Sequence, residues 1–126
     1  MRTESTNLPP VVQWLALLVA IVMIASLIRL GETSLAVGLI PHPWDKLAHA
    51  ATFGTIAFSL WLASGQRWLI ACAGLAAGIA LYDEWRQLLL PGREAELLDL
   101  LANAVGIALA VALAMRLKTR ESSCAP

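Results

Sequence analysis

Asp45, Lys46 and His49 fall within one short stretch, and Asp45 and His49 are four apart, so they share a face of any helix that holds them. Further along come Asp83, Glu84, Arg86 and Gln87, with Asp83 and Gln87 again four apart. Arg93 follows, and then Asp99, Asn103 and Gly106 at spacings of four and three. Neighbouring carboxylates favour protonated imidazole, which makes His49 a candidate general acid or base. No activated Ser or Cys nucleophile accompanies it. Lys46, Arg86 and Arg93 are suited to phosphate or carboxylate, the guanidinium through bidentate contact. Asp45, His49, Asp83 or Glu84, and Asp99 would offer acceptable oxygen and nitrogen ligands to a metal. Their spacing is no metal signature and three basic residues lie among them, so neither a metal nor another cofactor is expected. A blander use of the same groups is an ion network that ties the fold together.

Charged residues are otherwise scarce. Of 126 residues, 59% are hydrophobic and 14% charged, with formal net charge zero, and the mean hydropathy is +0.71. A water-facing surface carries far more charge than this. The composition excludes a disordered chain, an ordinary cytosolic enzyme and a basic nucleic-acid binder, so no nucleic acid is expected as a partner.

The elements that must position the polar residues are read as membrane-crossing helices of about 20 residues. The spans are 11–30, 46–64, 68–90 and 95–117, separated by Pro41-His42-Pro43, Gly65-Gln66-Arg67 and Pro91-Gly92-Arg93-Glu94, with a polar tail over 118–126. The first span is longer than a signal-peptide core and is read as a retained helix. Short connections make neighbours antiparallel, so the expected fold is all-α, an integral-membrane antiparallel four-helix bundle in one domain over 1–117. Indole rings prefer the membrane boundary. Trp14, Trp61 and Trp68 would lie at one interface, Trp44 and Trp85 at the other. Cys72 and Cys124 lie too far apart in depth for a disulfide.

On that topology the polar residues all collect at one end. At about 1.5 Å per residue, Asp99 lies about 6 Å and Asn103 about 12 Å along the fourth helix from Ala95. Ionisable groups at membrane depth need partners or water. Turning the three polar faces together would make an inward-facing pocket, with the first helix contributing only Arg29 and acting as a lipid-side wall. Arg2, Arg67, Arg116, Lys118 and Arg120 outnumber Arg29, Lys46, Arg86 and Arg93 by one, which favours cytoplasmic termini and a pocket opening outward. Gly74-x-x-x-Gly78, Ala50-x-x-x-Gly54 and Ala102-x-x-x-Gly106 are close-packing motifs, read as packing within the bundle, although such stripes also allow a homodimer.

The strings Asp45-Lys46-Leu47-Ala48-His49 with Phe53, Glu84 with Gln87, Pro91-Gly92-Arg93, and Asp99, Asn103 and Gly106 resemble the motifs of the VanZ-like family of small bacterial membrane proteins. The resemblance spans about Trp44 to Gly106. Arg86 stands where many relatives carry a second His, and Glu94-Ala95-Glu96 replaces small or hydroxyl residues. The resemblance implies a multi-pass protein of the bacterial cytoplasmic (inner) membrane with an envelope role. The family is named for a protein giving low-level resistance to the glycopeptide teicoplanin.

Three functional readings follow. In the first, the pocket binds a headgroup through Asp45, Lys46, Asp83, Glu84, Arg86, Gln87, Arg93, Asp99 and Asn103. Membrane lipid, a lipid-linked cell-wall substrate or a lipoglycopeptide are the expected partners. In the second, His49 is the catalytic acid/base of an integral-membrane hydrolase or transferase. In the third, the chain is a structural or assembly subunit.

Overall fold

A computed structural model describes residues 8–31, 33, 40–91 and 94–123 of the chain. It holds four helices: α1 (Pro10–Gly31), α2 (Trp44–Ala63), α3 (Leu69–Gln87) and α4 (Leu97–Ser123), and no strand occurs among the described residues. α1 and the Leu97–Arg120 part of α4 are long and apolar enough to cross a membrane.

The helix ends differ from expectation for local reasons. α3 stops at Gln87 rather than Leu90. Leu89 N–H turns back to the Arg86 carbonyl at 3.0 Å and Leu90 N–H to Gln87 at 3.2 Å, tightening the chain before Pro91. α4 starts at Leu97 rather than Ala95, with the Glu96 carbonyl accepting the Asp99 and Leu100 N–H groups. It then continues through Lys118 to Ser123, where a polar tail was expected. Thr119 and Ser123 bond their hydroxyls back to the Met115 and Thr119 carbonyls at 2.7 and 3.0 Å, which lets these polar residues stay helical. Cys72 is a free thiol, and Cys124 lies outside the described residues.

α2 is the central element: it packs against α1, α3 and α4, whereas α1 and α4 do not meet among the described residues. The core is built from Phe53, Ile56 and Ala57 of α2, Ala76 and Ala80 of α3, and Ile107 and Ala110 of α4. Gly106 sets the closest approach. A Cβ there would overlap the Ala50 carbonyl, and one on Gly54 would lie 2.8 Å from the Gly106 carbonyl oxygen. The α2 and α4 small-residue motifs therefore pack within the chain, as expected of them. Gly74 and Gly78 do not: a Cβ on either would meet nothing, because their face of α3 is turned outward.

A second core cluster holds Trp61, Cys72 and Ala114. Trp61 is fully buried, which corrects its assignment to the boundary; the small Cys72 and Ala114 opposite leave room for the indole. Trp14, Trp44, Trp68 and Trp85 are all exposed. The turn after α2 is held by Ser64, whose Oγ donates to the Trp61 carbonyl at 2.7 Å and accepts Arg67 N–H at 3.3 Å. Gly65 takes φ 65° there, a conformation that suits glycine, and it faces Gln13 of α1.

Candidate functional site

The first turns of α2 and α4 lie side by side, and the last turns of α3 close over them. Lys46 is the hub. Its Nζ lies 3.0 Å from Asp45 Oδ2, 2.5 Å from Glu96 Oε2, and in its closest contact against Asp99 Oδ1. His49, one turn deeper, places Nδ1 3.1 Å from Asn103 Oδ1 and Nε2 3.6 Å from Asp99 Oδ2. The two ring nitrogens thus face two different acceptors of α4, an amide oxygen and a carboxylate.

α3 contributes Asp83, Glu84 and Gln87, all buried. Gln87 Nε2 donates to Asp83 Oδ2 at 3.2 Å and lies 3.4 Å from Glu84 Oε1. Glu84 Oε2 accepts the Glu96 backbone N–H at 3.3 Å, so an α3 carboxylate secures the approach to α4. Arg86 takes another direction. Its Nη1 lies 3.5 Å from the Ile28 carbonyl of α1, and its guanidinium stands 5.8 Å from the centre of the Tyr82 ring. Arg93 lies outside the described residues.

The sequence reading thus assembles well on α2, α3 and α4: Asp45, Lys46, His49, Glu84, Asp99 and Asn103 form one contact network, with Asp83 and Gln87 attached to it. Glu96 is not among the site residues expected from the sequence, yet it holds Lys46. Its signal was present in the spacing, since it precedes Asp99 by three positions at a helix start. His42 is a second omission, with Nδ1 3.4 Å from Asp45 Oδ1.

Beside this network is a cavity of about 420 Å³ between α1, α2 and α3. Its polar lining comes from Asp45, His49, Thr52, Asp83 and Gln87, joined by Ser26 of α1. Val22, Met23, Leu27 and Leu30 supply an apolar wall. That corrects the picture of α1 as a lipid-side wall contributing Arg29: α1 forms one side of the cavity, and Arg29 is exposed and does not line it. α1 is apolar nearly all round, and Ser26 is the one polar side chain of its sequence that marks the face turned to the cavity. Lys46, Glu84, Asp99 and Asn103 do not line the cavity; they sit in the α4-side half of the network. His49 belongs to both halves.

Two groups bring ligand atoms within 4.8 Å of one another: His49 with Glu84 and Asp99, and Asp45 with Glu96 and Asp99. The second is already spanned by the Lys46 ammonium. The arrangement can therefore perform two kinds of chemistry. It offers hydrogen-bonding and charged groups to a polar ligand in the cavity, and it holds an imidazole ready for proton transfer at the cavity wall.

A comparison with protein families matches VanZ/LLP1 over residues 2–118, nearly the whole chain, and the protein belongs to that family. No curated protein and no solved structure matches it.

Proposed function

We propose that this VanZ/LLP1 family member is a multi-pass protein of the bacterial inner membrane whose outward-facing pocket binds the headgroup of an amphiphile. The amphiphile is a membrane lipid, a lipid-linked cell-wall intermediate or a lipoglycopeptide, and teicoplanin is the antibiotic to which such binding is linked. Both termini are cytoplasmic in this reading, and the four helices form an antiparallel bundle. Support for the bundle comes from which ends meet: Gln13 lies by Gly65, and Gly31 by Asp83. α2 and α3 are about 30 Å and 28 Å long, enough to span the hydrocarbon beside α1 and α4.

The observation that carries the proposal is the two-sided lining of the cavity. A water-filled pocket has no need of Val22, Met23, Leu27 and Leu30, and a purely apolar one has no need of Asp45, His49, Asp83 and Gln87. Acyl chain against α1 and head against α2 and α3 satisfies both. The volume is within the range of about 300–1,000 Å³ common to small-molecule sites.

A monoacylglycerol bearing a photoreactive group in its chain tests this. Irradiation of the purified protein should label α1 at Met23 and Leu27. Ala48→Phe, which fills the cavity from α2, should abolish that label and return teicoplanin susceptibility to that of cells lacking the protein. Label spread over Leu109 and Leu113, unchanged by Ala48→Phe, would sink the proposal.

One observation favours a second reading. His49 stands at the cavity wall with Asp99 beside its Nε2, and the Thr52 hydroxyl lines the same space, as a hydrolase or transferase would require. That reading demands turnover that disappears in His49→Ala while monoacylglycerol labelling persists.

A further inference from the structure

Three helices each send one ligand-type side chain to a single point on the α4 side of the network. His49 of α2, Glu84 of α3 and Asp99 of α4 bring their donor atoms within 4.8 Å of one another. Glu84 and Asp99 are 4% and 7% exposed, so two carboxylates are held close together away from water. Such a pair repels unless a cation joins it. Lys46 reaches Asp99 through Oδ1, on the side away from the Oδ2 that faces His49.

Each of the three side chains is also held from behind. Asn103 Oδ1 lies 3.1 Å from His49 Nδ1, Lys46 holds Asp99, and the Glu84 carboxylate meets Gln87 Nε2 at 3.4 Å and the Glu96 N–H at 3.3 Å. Metal ligands are oriented by outer partners of this kind, a ring nitrogen of His bonded to an oxygen above all. With Nδ1–H toward the amide, Nε2 turns a lone pair on a carboxylate, an opposition that a cation resolves. Ligands on zinc stand about 3.4 Å apart, from bonds of about 2.0–2.2 Å at the tetrahedral angle. His49 Nε2 and Asp99 Oδ2 are already 3.6 Å apart, and a small rotation of the Glu84 side chain closes the rest. A further sign comes from Asn103, 1% exposed, whose Nδ2 has no hydrogen-bond partner. A buried donor on the amide that touches His49 suits a water or other ligand carried by an ion there.

We infer that His49, Glu84 and Asp99 form a site for a divalent transition-metal ion of the zinc class, which ties α2, α3 and α4 together beside the cavity. One imidazole nitrogen with two carboxylates suits zinc and its neighbours better than the all-oxygen ions magnesium and calcium. Three protein ligands leave one position of a four-coordinate ion open. The site goes beyond the amphiphile pocket, since Glu84 and Asp99 do not line the cavity. The spacing along the chain carries no metal signature because the ligands come from three separate helices.

The test uses the full chain without an affinity tag, in dodecyl maltoside, stripped with EDTA and then given Zn²⁺. With Cys72 and Cys124 replaced by Ala, so that no thiolate competes, the protein should retain about one Zn²⁺ per chain after gel filtration. Mg²⁺ in about thousandfold excess should not displace it. His49→Gln and Glu84→Gln should each weaken zinc binding at least about a hundredfold, more than the loss of an outer partner costs. Far-ultraviolet circular dichroism shows whether each variant is folded, and His42→Ala should bind zinc as the natural protein does. Where neither ligand variant folds, the natural protein decides: Zn²⁺ should slow modification of His49 by diethyl pyrocarbonate and leave His42 unprotected. Zinc that is lost in His42→Ala, or kept in both folded ligand variants, overturns the assignment, and so does protection of His42 in place of His49. A chain that retains no zinc overturns it as well, leaving a protonated His49 to bridge Asn103 and Asp99.

Discussion

Lys46 shows how one cation can govern several carboxylates. Its side chain is only 17% exposed, and so is well shielded, as is Asp99 at 10%, whereas Glu96 is 54% exposed. Removing the ammonium leaves Asp45, Glu96 and Asp99 as mutually repelling anions, and breaking a shielded pair from one side is far costlier than losing an exposed one. Lys46→Met is therefore expected to lower unfolding stability by about 3 kcal/mol, and Glu96→Gln by less than about 1 kcal/mol. Denaturant unfolding in detergent, followed by Trp fluorescence, checks both. Equal losses would mean that Glu96 alone carries as much stability as the lysine, against its exposure. At this scale the sequence was informative, because Asp, His, Lys and Asn have little reason to occur in an apolar chain except to meet one another. It could not assign partners. Nothing in the spacing says that Lys46 turns toward α4 while Arg86 turns toward α1, since long side chains reach in several directions from one backbone position.

The network is held in register by the backbones of α2 and α4, and there the small residues decide. Gly106 allows the Ala50 carbonyl to pass closely, just below the level at which His49 meets Asn103. Gly106→Ala must push the helices apart, because the atom it meets is backbone and cannot rotate away. It should destabilise by about 1–3 kcal/mol, the usual cost of overpacking, and separate His49 from Asn103. Gly78→Ala meets nothing. It should be neutral or stabilise by up to about 1 kcal/mol through helix propensity. Thermal unfolding of the two variants side by side distinguishes a packing glycine from a spare one. Three small-residue motifs stood in the sequence with the same pattern, and the pattern alone could not separate them. What separates them is the opposing surface: two face each other across α2 and α4, and the third faces outward. Trp61 follows the same logic. A tryptophan at a helix end suits a membrane boundary until a neighbouring helix offers Cys72 and Ala114 as a recess.

Across the whole molecule, apolar composition and four punctuated runs made the helical class legible, whereas the cavity was not, because α1 is apolar nearly all round and a single Ser26 is too slight a mark of its inward side. Orientation remains the consequence most exposed to experiment. The polar network and the cavity lie at the end of the molecule that holds the Pro41–Trp44 segment and the α3–α4 connection, while the Ser64–Arg67 turn lies at the other. Basic residues near the membrane favour the cytoplasm, and Arg67, Arg116, Lys118 and Arg120 sit at the turn end. Headgroup capture from the outer face therefore requires His42 outside and Gln66 inside. In a background lacking Cys72 and Cys124, His42→Cys should react with a membrane-impermeant maleimide on intact spheroplasts. Gln66→Cys should react only after the membrane is opened. Both positions lie in connections between helices, so neither substitution disturbs the core clusters. The reverse pattern would turn the cavity toward the cytoplasm, which removes extracellular glycopeptide as a ligand.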